Sequence, residues 1–296
     1  MNSYRGDGFV CKICNCEQAR VVAHTAQCRD CGVLLYWPYP PSDSELIESG
    51  KGKSYSTETS RRWYAKSADR NHNNFTEMAS IGMLGLPRVT DVNVLDFGGG
   101  GGQFACVCRS LFPGSQVYIT DISDEALLPE WAPMNRQIPF AEFQSDDTRF
   151  DRIFMNDVFE HLSDPVTVLR DLTAKLRPGG SIFVDTPRHF WLYPLTRQLL
   201  QGLHRKLLQG TVSLAHLQIW SERSFRMAVA NAGLQVRWYR TLSEFTMPPS
   251  YYLDNMKVVN PVVRAAGSAF YKTARFTAMN KIQAVLVPTA AAAPDR

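Results

Sequence analysis

The chain has 296 residues, 45% of them hydrophobic, and a formal charge of +4. This suits a core of ordinary size, one large domain with a small appendage, and is too weakly basic to point to nucleic acid by itself. No apolar run reaches the roughly 18–20 residues that span a bilayer, and the opening MNSYRGDGFVCKIC lacks a secretory apolar stretch, so the expected compartment is the cytoplasm.

The first element is a cysteine cluster. Cys11-x-x-Cys14 and Cys28-x-x-Cys31 stand 13 residues apart, a spacing that lets four thiolates close tetrahedrally on one structural Zn²⁺. So short a segment cannot fold on apolar burial alone, and the metal would supply the folding free energy. Cys16 is a spare thiol and His24 an alternative ligand. A closed four-cysteine site keeps no open position, so it is expected to have no catalytic task. Lys12, Arg20 and Arg29 stand against Glu17 and Asp30, a weak electrostatic footprint for RNA. Residues 1–44 are therefore expected to be a zinc-ribbon-like module. Residues 45–90 read as a Pro/Ser/Gly linker followed by a polar helical run from Ser60 to about Met83.

From residue 91 to 290, short β-branched or aromatic runs alternate with amphipathic segments, the pattern of an α/β domain with a parallel sheet. Expected strands are Asn93–Phe97, Gln116–Thr120, a short one near Phe140–Phe143, Arg152–Met155, Ser181–Asp185, Leu234–Thr241 and Lys281–Val287. After the first strand, a helix places Phe104, Val107, Cys108 and Leu111 on one buried face, with Cys106 and Cys108 as packing residues. Another helix starts at Ser163 or Asp164 with Pro165 in its first turn. A third follows Ser221 and stops at Gly233.

Glycines 98, 100 and 102 let the chain turn tightly and bring backbone N–H groups against a ligand at a helix N-terminus. Asp96 is the discriminating residue: a carboxylate there would repel a pyrophosphate but suits the ammonium and sulfonium charges of S-adenosyl-L-methionine. Asp121, 23 residues after Gly98, is placed to accept hydrogen bonds from ribose hydroxyls or else to cap a helix. Asn156 and Asp157 follow the fourth strand, where open α/β sheets place ligands, and can face the methionine part or cap the next turn. Glu160 and His161 lie just beyond; His161 is either a base or a helix-start residue bonding backbone. His216, where the chain returns to the core, is the preferred base.

Together DFGGGGG, YITDIS, FDRIFMNDVFEHLSDP and LRPGGSIFVDTP resemble a class I S-adenosylmethionine-dependent methyltransferase. The DVFEHL segment is similar to the branch of ubiquinone-pathway and sugar O-methyltransferases, and HLQIWSERSFRMAVANAGL resembles that branch's lid and following helix. An N-terminal zinc knuckle pair resembles a subset linked to cell-surface glycan or natural-product methylation. The resemblance implies a Rossmann-like, seven-stranded, mostly parallel sheet with helices on both faces. It also implies an acidic residue near the adenine, for which Asp146 is the candidate, although the segment PFAEFQSDDTRFD is shorter than usual. No catalytic metal is expected.

Residues 188–220 are expected to form a substrate lid. Within 188–210, regularly spaced leucines with Arg197, His204, Arg205 and Lys206 also suit peripheral contact with a membrane or a lipid-linked anionic substrate. The tail from 291 to 296 is expected to be disordered. The expected activity is O-methylation of a small-molecule, glycan or lipid-linked hydroxyl. The alternatives are ribosomal-RNA methylation with the ribbon docking RNA, and a non-catalytic cofactor-binding scaffold.

Overall fold

The computed structural model describes residues 8–22, 24–39, 58, 61, 73–85, 91–123, 127–132, 135–189, 212, 216–244, 249–255 and 258–289. The linker boundary near residue 45, most of the expected lid with its basic stretch, and the alanine tail lie outside these residues. Among the described residues no helix is long and apolar enough to cross a membrane.

The main sheet starts with β4 (Asn93–Phe97), buried at every position because a neighbour pairs on each side and helices cover both faces. It pairs in parallel with β5 (Gln116–Thr120) and with β7 (Phe150–Asn156), placing Asp96 opposite Ile119 and Phe154. Outward on one side lies the two-residue β6 (Arg136–Gln137). On the other side lie β8 (Leu176–Pro187), then β11 (Lys281–Pro288) and β10 (Leu234–Leu242). The order is β10-β11-β8-β7-β4-β5-β6, with β11 antiparallel to both its neighbours. This is the parallel α/β architecture that the alternation implied, in the seven-stranded, mostly parallel Rossmann-like form that the resemblance implied.

Local chemistry explains the helices. α1 (Gln103–Leu111) buries Phe104, Ala105, Val107 and Cys108, whereas Leu111 at its frayed end is 40% exposed. After the short α2 (Phe140–Phe143), α3 (Pro165–Ala174) takes Asp164 as N-cap, its side chain accepting from the Thr167 N–H, with Pro165 in the first turn. α4 (Glu222–Asn231) opens on a capping box between Ser221 and Ser224. The expected strand Phe140–Phe143 is instead a single helical turn, α2, because β6 stops before Pro139 and Phe143 reaches the core from the helical turn. The 38 residues between β10 and β11 carry α5 (Pro249–Asn255) and α6 (Pro261–Thr277).

The cysteine segment forms a second sheet, β1 (Ala19–Val22), β2 (Thr25–Cys28) and β3 (Leu34–Tyr36), all antiparallel. Its fourth strand is β9 (Gln218–Ile219) from the main domain, which pairs Leu34 with Ile219 and Leu35 with Gln218. One apolar cluster runs from Phe9, Cys11 and Ile13 through Trp220 and Phe225 to Ile182. The small module is therefore built into the large one.

Trp220 sits at this junction, fully buried and stacked on Phe159 with ring centroids 4.5 Å apart. Trp220→Ala is expected to cost about 3–5 kcal/mol of stability, the usual range for a buried aromatic truncated to a cavity. Urea denaturation checks this.

Candidate functional site

All parallel strands point their C-terminal ends to one edge of the sheet, and the sequence-predicted polar residues gather there, with one exception. The turn after β4 uses positive φ at Gly98 (72°), Gly100 (50°) and Gly102 (87°). At Gly98 a side chain is also excluded by space, since a Cβ would lie 2.5 Å from the Val158 side chain. Asp96 lies directly beneath the loop and is 1% exposed. Burial, and then the Asp121 carboxylate, push its carboxyl up to about 8. Its Oδ2 is buried without a hydrogen-bond partner among the described residues.

Asp121 ends β5 and accepts from the Gly100 N–H (2.9 Å) through Oδ2 and from the Ser123 N–H (2.9 Å) through Oδ1. It thus ties the glycine loop to the turn after β5, while α1 takes Gly102 as N-cap with no side-chain cap; a carboxylate retains lone pairs for further donors. Asn156 closes β7, and both atoms of its side-chain amide are buried without a partner among the described residues. Asp157 follows in a left-handed conformation, φ 52°. Its N–H donates to the Asp185 carbonyl, and its Oδ1 lies 2.6 Å from Lys281 Nζ.

Lys281 was not singled out in the sequence. It opens β11, the strand antiparallel to its neighbours, so its side chain emerges at the same edge, between Asp157 and Asp185, with Glu244 Oε2 at 3.5 Å. Burial opposes its charge, but Asp157, Asp185 and Glu244 outweigh that and hold the ammonium well above its ordinary value. Burial raises Asp185 to about 7 against the pull of Lys281. The side chain of Asp157 is 59% exposed; the protein around it still disfavours its charge, and Lys281 with His161 and His216 overcomes that, leaving the carboxyl below its usual range. A lysine opening a mostly apolar strand, KIQAVLV, and an aspartate near the end of its neighbour were the available signals.

Beyond Asp157 the chain turns through Glu160 and His161. Glu160 is 1% exposed. Its Oε2 accepts from Thr186 Oγ1 at 2.9 Å, while Oε1 has no hydrogen-bond donor among the described residues and lies 3.9 Å from His161 Nε2. Burial, then Asp157, raise its carboxyl well above the ordinary value. His216 arrives from a distant part of the chain, its ring 5.0 Å from that of His161 and edge-on to it. Ligand atoms of Glu160, His161 and His216 lie within 4.8 Å of one another, a convergence that the separate reading of the two histidines did not anticipate.

Asp146 is the exception and a correction. It precedes β7, and its backbone carbonyl accepts from Lys175 Nζ, the residue just before β8. Both strands begin there, so Asp146 lies at the edge opposite the glycine loop, its Oδ1 capping the Thr148 N–H at 2.7 Å. The segment that does reach the ligand edge after β6 is Ile138–Phe140, anchored by the Ile138 N–H on the Ile119 carbonyl and carrying a 40% exposed Phe140. The shortened segment hid this, because the two-residue strand carries no β signature.

At the other centre, the sulfurs of Cys11, Cys14, Cys28 and Cys31 lie within 4.8 Å of one another, with 3.7 Å between Cys11 and Cys31 and 3.4 Å between Cys14 and Cys28. Four sulfurs at about 2.3 Å from a tetrahedral zinc are about 3.8 Å apart, so the donor set fits. His24 stacks on Tyr36 and Cys16 Sγ accepts from the Gln18 N–H, so both engage other partners.

Residues 35–238 match the model of a methyltransferase domain, more than half of the chain. A tRNA U34 carboxymethyltransferase of Campylobacter curvus is 43% identical over 49 residues, 17% of this chain and 15% of that protein. A trans-aconitate 2-methyltransferase of Azoarcus is 29% identical over 134 residues, 43% of this chain and 50% of that protein. The matches therefore span at most half the length of these curated relatives. The fold is also that of the 1,6-didemethyltoxoflavin-N1-methyltransferase of Burkholderia thailandensis, solved with S-adenosylhomocysteine. That likeness has a TM-score of 0.53 and 17% identity, over 88% of this chain and 97% of the other. The chain belongs to the methyltransferase-domain family and has the Rossmann-like fold of the S-adenosylmethionine-dependent enzymes.

Proposed function

We propose that the chain transfers a methyl group from S-adenosylmethionine to a hydroxyl of a small-molecule, sugar or lipid-linked acceptor. In this reading residues 1–44 are a structural zinc module, held by Cys11, Cys14, Cys28 and Cys31, and residues 91–290 the catalytic domain. The observation that carries it is one edge of the sheet. There, buried groups without a protein partner among the described residues, Asp96 Oδ2 and the Asn156 amide, lie beside a glycine loop and close to a histidine pair.

The residues fit the cofactor. Ionised Asp96 meets positive charge, the backbone of Gly98, Gly100 and Gly102 admits close approach, Asp121 takes hydroxyl donors, and Asn156 with Asp157 faces the methionine end. When bound, S-adenosylmethionine supplies a methyl group activated by its sulfonium. The chain's own task is alignment and proton handling. His216 takes the acceptor's hydroxyl proton as the oxygen–carbon bond forms and the carbon–sulfur bond breaks. Burial holds the Glu160 carboxyl well above its ordinary value, and the Asp157 carboxylate faces both histidines; a neutral imidazole is the form that accepts the proton.

An RNA acceptor is not favoured. Of the charged residues on the cysteine module, Lys12 donates to the Ser163 carbonyl and Asp30 pairs with Arg223 of α4, so part of its weak charge faces the main domain.

The test is transfer of labelled methyl from S-adenosylmethionine into fractionated small-molecule, glycan, lipid and RNA extracts. Label is expected in a non-RNA fraction. His216→Gln is expected to lower turnover about 10²–10⁴-fold, the usual scale for loss of a general base, with S-adenosylhomocysteine affinity kept. Label confined to RNA would reassign the acceptor. Turnover that requires added divalent cation would assign Glu160, His161 and His216 to a metal.

A further inference from the structure

Gln218 stands where the cysteine module meets the turn that carries Glu160 and His161. It is 3% exposed. Its backbone pairs with Leu35 of β3. Its side-chain Nε2 donates to the Phe159 carbonyl (2.7 Å) and the Leu162 carbonyl (2.9 Å), the residues on either side of Glu160 and His161. The backbone N–H groups of Leu217 and Gln218 both donate to the Glu160 carbonyl, at 2.9 and 3.2 Å. Two consecutive residues thus make four hydrogen bonds to one tight turn, and His216 immediately precedes them.

The same short strand is held from the other side by the cysteine module. The Tyr36 N–H donates to the Leu217 carbonyl at 2.8 Å, and Ser221 Oγ donates to the Cys31 carbonyl at 2.6 Å. Cys28 is tied to the same module loop, its N–H on the Val33 carbonyl at 3.0 Å. Hydrogen bonds and short stretches of chain therefore lead from Cys28 through β3, and from Cys31 through Ser221, to the short strand that follows His216 and grips the turn carrying His161. A buried amide with both protons used on carbonyls is rigid, and removing it leaves those carbonyls without donors.

We propose that Gln218 is a positioning residue through which the four-cysteine module sets the geometry of His161 and His216, so that the module serves the acceptor half of the site. This rests on the reading of the histidine pair as the proton-handling groups. Such a role concerns the acceptor half of the site: Gln218 bonds the turn from Phe159 to Leu162, whereas Asp96 and the glycine loop belong to the end of β4, so cofactor affinity is expected to change little in Gln218 variants.

The test uses the zinc-loaded full chain. Side-chain NMR titrations of His161 and His216, assigned with His161→Gln and His216→Gln, are compared between wild type and Gln218→Leu, alongside zinc content and calorimetric affinity for S-adenosylhomocysteine. The expected result is a displacement of at least one histidine pKa by about 0.5 unit or more, with zinc content unchanged and affinity within about threefold of wild type. The uncharged Gln218→Met, similar in volume and without the donors, is expected to repeat the displacement. Ser221→Ala, which cuts the Cys31 contact without touching the turn, is expected to give a smaller one in the same direction. Wild-type titration of both histidines in Gln218→Leu overturns the proposal, as does wild-type titration in Gln218→Met should the leucine variant not fold. If the titrations move while His216→Gln turns over normally, the coupling stands and the catalytic reading of the histidines fails.

Discussion

Replacing Asp96 with asparagine is expected to weaken S-adenosylmethionine binding by roughly 30-fold to several-thousand-fold, the 2–5 kcal/mol lost when one partner of a buried charge interaction is removed. Isothermal titration calorimetry reads this directly. Asp96 has no compensating donor for its Oδ2 among the described residues, and its carboxyl stands at about 8, raised first by burial and then by Asp121. The pH dependence follows with a definite sign. Below pH 8 the free protein carries a proton on Asp96 that must leave before the carboxylate can meet a cationic ligand. The wild-type advantage over Asp96→Asn should therefore shrink by up to about tenfold for each pH unit below 8, and stay constant above it. Using the ratio of the two proteins removes any titration of the ligand itself. An asparagine variant that binds as tightly as wild type at pH 8.5 would remove Asp96 from the cofactor site.

The second large effect concerns the cysteine module. Cys31→Ser is expected to lose the metal and to lower the melting temperature by more than about 10 °C, since structural zinc in isolated fingers contributes about 10–16 kcal/mol of apparent binding energy. Each kcal/mol is worth about 2–4 °C in a chain of this general size. The effect should spread beyond the module, because β3 pairs with β9 and the apolar cluster continues to Trp220 and Phe225. Elemental analysis is expected to find one zinc per wild-type chain and none in the variant. Equal melting temperatures and no bound zinc in the wild type would return the four thiols to an ordinary buried cluster.

Local signals in the chain were enough to read β4 and β5 to the residue, because a run of buried β-branched and aromatic side chains ends at a glycine or aspartate. The helix starts were legible too, at Ser163 or Asp164 and after Ser221, since a capping side chain and the backbone it bonds lie within three residues. What escaped was long-range. β9 is two residues long and pairs with a strand more than 180 positions earlier, so no window of sequence contains it. Lys281 and Asp185 meet across a sheet register, not along a helix or turn. Asp146 looked correct by composition and order, yet it precedes β7, and only the strand direction sends it to the far edge. The roles of Asp96 and the glycines could be argued from charge and φ requirements, both local properties, while the meeting of His161 with His216 required the fold.

The most direct measurement is a crystal structure of the wild-type chain with S-adenosylhomocysteine. The expected density lies along the C-terminal edge of β4, β5 and β7, with the ribose hydroxyls within hydrogen-bond distance of Asp121 and the amino end against Asp96 or Asn156. A ligand bound elsewhere, or a saturated crystal with no ligand at the glycine loop, would contradict the assignment of this edge as the methyl-donor site.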